Sequence, residues 1–484
     1  MGGSSDDYGH GIAVDPSTGV YVTGRTRSSG WALGGFDTLH NGNYDIFVAR
    51  IVDDALAVMG HVTYRDRNAA TKDAAYVLVE VWENETLWPD YQIAEGYTDA
   101  TGRFTFTHDL DGYRIVNKET GTGPFESGTR DIYFKIKTEN DATLVKQVTG
   151  NTVPYTFTST TVDDISGPVF SIYLHQASAP ETPDHAAVMG IPGLVWEARQ
   201  WLLDATASIG SWSRSQVHVV YPSLTGPEFV WLYDGIRIPE GYESLASLAH
   251  EYGHAVHYAA AEGSRPPGSG PSDHGSATES SPGFALIEGW ADFLEGAVGG
   301  SSRYEDAVGT AFGYPSPYWL GDDVENVGNG PSNPNGNTGE VVEGAAAAIL
   351  WDLYDTANDD AVDSRFDRVW TVFLNDDPTS IWNESGGGDF YHYWNARFGQ
   401  SRAVDEIFID QGIPVRDDLY DVVYQNDDSG HAAPLTARTA PYTGLICTNE
   451  DWYKVTTSGT SNSTSQIRIG FDHDRGQLEL FVYD

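Results

Sequence analysis

The residues of this chain best suited to chemistry are two histidines four apart with a glutamate between them, in His250-Glu251-Tyr252-Gly253-His254. Leu245, Leu248, Tyr252, Ala255 and Ala259 recur around them at helical spacing, which predicts an amphipathic helix over "SLASLAHEYGHAVHY" (244–258). On such a helix His250 and His254 share one face, one turn apart. Two imidazoles so placed can bind one Zn²⁺ at about 2.0–2.1 Å each, and Glu251 can act as general base on the metal-bound water. Ala249, Tyr252, Gly253 and Ala255 carry no charge, as a buried active-site helix requires.

A catalytic zinc needs a third protein ligand and an open fourth position. The nearby candidates are His257, His274 and Glu288. His257 sits about 60° off the line joining the first two histidines and reads as a packed or surface residue. His274 lies in the Gly/Ser/Pro-rich loop "GSRPPGSGPSDHGSATESSPG" (263–283), either a flap over the cleft or a solvent loop. Glu288 has more support. Ser281-Pro282 supplies a cap residue and then Pro at the first helical position. In "FALIEGWADFLEGAV" (284–298) the residues Phe284, Ile287, Trp290, Ala291, Leu294 and Val298 are apolar, and Glu288 is a lone carboxylate among them. Buried carboxylates need a partner, and zinc is one. Asp292, one turn on, can accept the second ring N–H of a metal-bound His.

The strings "HEYGH", "ALIEGWADFLEG" (285–296) and "GAAAAILWDLYD" (344–355) together resemble the gluzincin zinc peptidases of the thermolysin type, most nearly their fungalysin-like branch. The resemblance covers about residues 190–415. It implies zinc-dependent endopeptidase chemistry, with His250, His254 and Glu288 on the metal, Glu251 as base and Asp292 behind them. It also implies a strand, "VWLYDGIRIP" (230–239), that binds peptide in extended form as the edge of a sheet. One departure stands out. Those families carry a His just before the last helix, where it helps stabilise the tetrahedral intermediate. Here "NPNGNTGEVVEGAAAAILWDLYD" (333–355) has none. Glu340 and Glu343 occupy that region, and Glu343 is a candidate substrate or transition-state contact, although a helix N-terminus favours Glu for dipole reasons alone. A Tyr or His392 are other candidates for the oxyanion stabiliser. The metzincin extension is absent, since 257–260 read His-Tyr-Ala-Ala.

Other segments must position this helix pair. A chain of 484 residues has room for roughly three domains. "GHGIAVDPSTGVYVTGRT" (9–26), "GGFDTLHNGNYD" (34–45) and "FVARI" (47–51) resemble one SBBP repeat, a β-propeller unit that cannot bury its faces alone. "YVLVEVWE" (76–83), "GRFTFT" (102–107), "DIYFKIKT" (131–138) and "FSIYL" (170–174) have the composition of a β-sandwich and resemble the carboxypeptidase-regulatory-like module. "QASAPETPD" (176–184) is a linker, and "LVWEARQWLLDATASI" (194–209) predicts a helix. "DWYKVTT" (451–457) and the alternating runs after it resemble the start of a pre-peptidase C-terminal domain. The fold expected is multidomain: an α+β zincin-type peptidase domain, mainly helical around the site, flanked by all-β modules. The boundaries expected are 1–53 for the repeat, 54–176 for the sandwich, 177–185 for the linker, 186–416 for the peptidase domain and 417–484 for the partial β domain.

Composition narrows the partners. Asp and Glu total 70 against 27 Lys and Arg, a formal charge of −43. That charge repels phosphates and anionic lipid surfaces, so a nucleic-acid partner is not expected. No apolar run approaches the roughly 18 residues of a membrane span. The single cysteine, Cys447, excludes an internal disulfide and a cysteine-based zinc site. No signal peptide follows Met1. The repeat at one end and the interrupted β pattern at the other nevertheless point to a longer exported protein truncated at both ends, extracellular or at the cell surface. A protein or peptide substrate is expected, with attachment to a surface or polymer through the β modules. Calcium is a weaker expectation, because the acidic run "DLYDTANDDAVD" (352–363) lacks EF-hand spacing. The alternative reading is a non-catalytic adhesion protein that retains a zinc site. The acidity itself fits either a solvated surface or adaptation to high salt, where screening removes self-repulsion. On the second account the melting temperature rises between low and molar salt in a thermal scan, and a flat or falling one contradicts it.

Overall fold

The computed structural model describes residues 6–15, 19–27, 44–51, 56–66, 70–85, 88–117, 129–147, 149–150, 152–165, 169–175, 188–210, 212–233, 235–263, 268–272, 274–302, 323–324, 337–355, 362, 365–383, 388–399, 401–413, 415, 432–436 and 452–456. Among these residues the chain forms seven helices and five sheets, mixed α and β, with no closed barrel. It divides into two units, 1–137 with 156–186 and 138–155 with 187–484.

In the first unit, β-branched and aromatic runs become strands. β1 (Asp7–Asp15), β2 (Gly19–Thr26) and β3 (Asp45–Ile51) form an antiparallel sheet in that order. Ile12, Val14, Ile46 and Val48 in it are exposed. Two further sheets make a sandwich. One holds β4 (Ala57–Arg65), β5 (Thr71–Asp73), β8 (Arg103–Phe106) and β12 (Val169–His175), with β12 parallel to β4. The other runs β11 (Thr156–Thr158), β9 (Ile132–Lys137), β6 (Leu78–Glu83), β7 (Tyr91–Tyr97). Val58 and Val62 from one sheet and Val79, Val81 and Ile136 from the other are fully buried, and Phe104 meets Phe134 between the sheets at 5.6 Å.

In the second unit, β10 (Thr143–Lys146), β13 (Val217–Ser223), β14 (Glu228–Val230) and β15 (Gly235–Pro239) form one sheet in the order β10-β13-β15-β14. The first three strands are mutually parallel, and β14 runs antiparallel at the edge. Two expectations change here. Residues 138–155, assigned from composition to the sandwich, fold with the second unit, because β10 pairs with β13 from Thr143↔Val217 to Lys146↔Val220. The run 230–239 is not one strand. A 3₁₀ turn over Trp231–Tyr233 folds it back, so the edge strand is Glu228–Val230 and Gly235–Pro239 lies inside the sheet.

Seven helices follow or surround that sheet: α1 (Ile191–Ala205), α2 (Leu245–Ala260), α3 (Pro282–Gly299), α4 (Glu343–Tyr354), α5 (Phe366–Asp376), α6 (Phe390–Phe398) and α7 (Arg402–Asp410). α2 packs on β14 and β15, on α1 and on α3, and α3 packs on α4. Ser244 caps α2, its Oγ accepting from Ser247 N at 3.1 Å. Ser281 caps α3 ahead of Pro282, as its sequence signature predicts. An aromatic cluster sits behind the helices, with Trp290 4.4 Å from Phe373 and 5.3 Å from Trp370. Near the C-terminus β16 (Ala433–Thr436) pairs in parallel with β17 (Tyr453–Thr456), which falls within the expected "DWYKVTT" strand; the later runs lie outside the described residues.

Two glycines let these helices approach. A Cβ on Gly253 would stand 3.2 Å from Ala291 Cα, and one on Gly289 would stand 2.5 Å from the Glu343 carbonyl oxygen. The second contact is with backbone, which cannot swing aside. Helix propensity alone favours Ala over Gly by about 1 kcal/mol, and overpacking costs about 1–3 kcal/mol. Gly289→Ala should therefore lower stability in chemical denaturation. An unchanged or raised midpoint would show that α3 and α4 are not in contact there.

Candidate metal centre

α2 and α3 each present polar groups to the other from otherwise apolar faces. On α2, His250 and His254 lie one turn apart, their ring centroids 4.9 Å apart and nearly perpendicular. On α3, Glu288 Oε2 is 3.1 Å from His254 Nε2 and 3.6 Å from His250 Nε2. One ligand atom from each of the three lies within 4.8 Å of the others. Ligands at about 2.0–2.1 Å around a tetrahedral zinc stand roughly 3.3 Å apart, so both carboxylate contacts bracket that spacing. Two imidazole nitrogens and one carboxylate oxygen are a donor set that zinc accepts.

Behind this trio, Asp292 Oδ1 is 3.1 Å from His250 Nδ1, and Glu295 Oε2 is 3.9 Å from the same nitrogen. Asp292 therefore stands where an acceptor for the second ring N–H belongs. Glu295 was not picked out from sequence; its signal is position, one turn beyond Asp292 and seven residues beyond Glu288. Burial opposes charge on His250, but its bonds to Asp292 and Glu288 outweigh that and hold its pKa well above the usual imidazole value. Burial likewise works against the Glu288 carboxylate, and the two histidines overcome it, holding that carboxyl well below the ordinary range.

Glu251 is buried beside the histidines. Its Oε2 has no hydrogen-bond partner among the described residues. Burial pushes its carboxyl up, against the pull of His250 and His254. A buried carboxylate with a free oxygen and a raised pKa is set to accept a proton. His254 stacks obliquely near Trp231, at 6.1 Å, and Trp231 and Phe229 pack on Tyr258.

The remaining candidates separate clearly. His257 is 1% exposed, packed against Phe373 and Trp290, and burial pushes it down to about 3. It is a core residue, not a ligand. His274 is not in the three-residue cluster either; its Nδ1 bonds Glu343 Oε2 at 3.0 Å. His392 bonds Asp389, the cap of α6. The described part of the 263–283 loop is pinned and not a free flap: Ser281 N donates to Ser269 O, Ser280 N to Val341 O and Gly344 N to Ser276 O.

Residues 196–403 match the mycolysin C-terminal domain. That span contains every residue of the site. Residues 2–30 match a β-propeller repeat. No curated protein matches significantly. Among solved structures, a 9R-lipoxygenase from Cyanothece matches 32% of this chain and 24% of its own at 18% identity, with a TM-score of 0.18. The chain thus spans about a quarter of that protein. The major plantain pollen allergen matches 26% of this chain and 98% of its own at 13% identity, with a TM-score of 0.15. Similarities that low carry no argument about fold or function. No helix among the described residues is long and apolar enough to cross a membrane.

Proposed function

We propose that this chain is a zinc-dependent metalloendopeptidase of the gluzincin type, with its catalytic centre between α2 and α3. The observation that carries the reading is Glu251. A structural zinc site has no use for a buried carboxylate whose oxygen lacks a hydrogen-bond partner, and a hydrolytic one needs it. The convergence of His250, His254 and Glu288 supports the metal, and the match to a peptidase-associated domain over 196–403 supports the substrate class.

In this reading His250, His254 and Glu288 hold the zinc, and Asp292 orients His250 through Nδ1. A bound zinc supplies Lewis acidity, which polarises the scissile carbonyl and lowers the pKa of water at the site to about 7. Glu251 takes the proton of the attacking water and later delivers it to the leaving amine. Its raised pKa suits both steps. β14, the edge strand at Glu228–Val230, offers unpaired backbone groups to an extended peptide, and Trp231 beside His254 offers an apolar wall. In chain order, the proposed organisation runs from a propeller-type repeat and a sandwich through this domain to a C-terminal β module. An extracellular or cell-surface location is proposed on the propeller-repeat match and the resemblance of the C-terminal segment, with the β modules attaching the enzyme to a surface or polymer.

The test is cleavage of an unfolded protein by wild type and Glu251→Gln, with zinc content measured on both. Glu251→Gln should keep its zinc and lose about 10²–10⁴-fold in rate, the usual contribution of a positioned general base. If both proteins bind zinc and neither cleaves, the chain is a non-catalytic protein with a retained metal site.

A further inference from the structure

Glu343 is 2% exposed, and its neighbours are acidic. It opens α4, and its backbone oxygen touches α3 at Gly289, the residue after Glu288. The charges of Asp292 and Glu288 reach it there. A third carboxylate in so dry a place costs free energy unless something compensates it. His274 is that compensation. Its Nδ1 lies 3.0 Å from Glu343 Oε2, across 69 residues of sequence.

The pair has a direction. The Glu343 side chain is 3% exposed and that of His274 27% exposed, so the carboxylate is the inner end and the imidazole the outer one. The ring is held in place. Phe284 packs edge-on at 5.1 Å, and the backbone bond from Gly344 N to Ser276 O ties the loop carrying His274 to the first turn of α4. Burial opposes charge on the ring, but the bond to Glu343 raises its pKa to about 9, so near neutral pH both nitrogens carry protons: Nδ1–H goes to Glu343 and Nε2–H is the remaining donor. Asp292 stands to His250 as Glu343 stands to His274, but only His250 belongs to the ligand cluster. The charges of Glu288 and Asp292 reach its ring, so His274 is an oriented donor near the metal centre that is not itself one of the cluster's ligands.

We propose that His274 is a catalytic residue that donates from Nε2–H to the oxygen of the scissile carbonyl as that oxygen becomes anionic, and that Glu343 is its positioning residue. The proposal rests on the peptidase reading above. As water adds, a C–O bond forms and the carbonyl π pair moves onto oxygen. Glu251 takes the water proton. His274 keeps its own proton and meets the new charge with a hydrogen bond. When the C–N bond breaks, the pair returns to the carbonyl and the proton on Glu251 goes to the amine. A preorganised donor of this kind is worth about 10²–10³ in kcat.

The experiment uses zinc-loaded full chain with His274→Ala, His274→Gln and Glu343→Gln. It reads zinc content, melting temperature, kcat and KM on a peptide, and affinity for two peptide inhibitors. One inhibitor is a phosphonamidate, tetrahedral and anionic; the other is a hydroxamate, which needs the metal but mimics no tetrahedral oxyanion. His274→Ala should keep its zinc and its hydroxamate affinity, lose about 10²–10³-fold in kcat with little change in KM, and weaken phosphonamidate binding by a similar factor. His274→Gln should recover part of the loss, and Glu343→Gln should show a smaller version of it. Near-wild-type kcat in His274→Ala, or equal weakening of both inhibitors, overturns the proposal and leaves the peptidase reading standing. A zinc-loaded wild type that neither cleaves peptide nor binds either inhibitor overturns both.

Discussion

The close approach of α2 and α3 is the constraint on which the site depends. Ala291 faces Gly253, and the indole of Trp290 donates to the Gly253 carbonyl at 2.9 Å. In sequence Gly253 lies between the two histidines, and Trp290 and Ala291 lie between Glu288 and Asp292. Their contact fixes the helix spacing at which Glu288, one turn before Asp292, comes within 3.1–3.6 Å of both imidazoles. A side chain at residue 253 would push the helices apart by tenths of an ångström, comparable to the tolerance of a metal site. The glycine inside the HExxH motif therefore serves packing, and packing serves geometry.

Charge is the second constraint. Glu251, Glu288, Asp292, Glu295 and Glu343 are all buried within one layer of helices that is otherwise apolar. Such a concentration of carboxylates is expensive to desolvate. Two histidines offset part of it, and a divalent cation at their centre would offset more. His274 is drawn onto Glu343 by the same need. The chain as a whole carries a formal charge of −43, and these five carboxylates are among its buried members.

What the sequence made legible was local. Four-residue spacing placed His250 and His254 on one face, and Ser281-Pro282 marked a helix start that the structure reproduces. Glu288 and Asp292 were visible because charge within an apolar helix stands out. What was hidden was long-range or short. β10 is four residues, "TLVK", too few to show a period, and its partner β13 is 74 residues away. The turn at Trp231–Tyr233 is built of apolar residues that read as strand. The pairing of His274 with Glu343 joins a loop without periodicity to a helix start that already had a dipole reason for its Glu. Each residue was noticed alone, and only the fold brings them together.

The central claim is that these two helices bind one zinc through His250, His254 and Glu288, with a position left open beside Glu251. Anomalous diffraction at the zinc edge from crystals of the full chain tests it most directly. The account predicts a single strong peak at about 2.0–2.2 Å from His250 Nε2, His254 Nε2 and a Glu288 oxygen. No peak between α2 and α3 in crystals grown with zinc, or a peak whose fourth position is filled by another side chain of the protein, would contradict it.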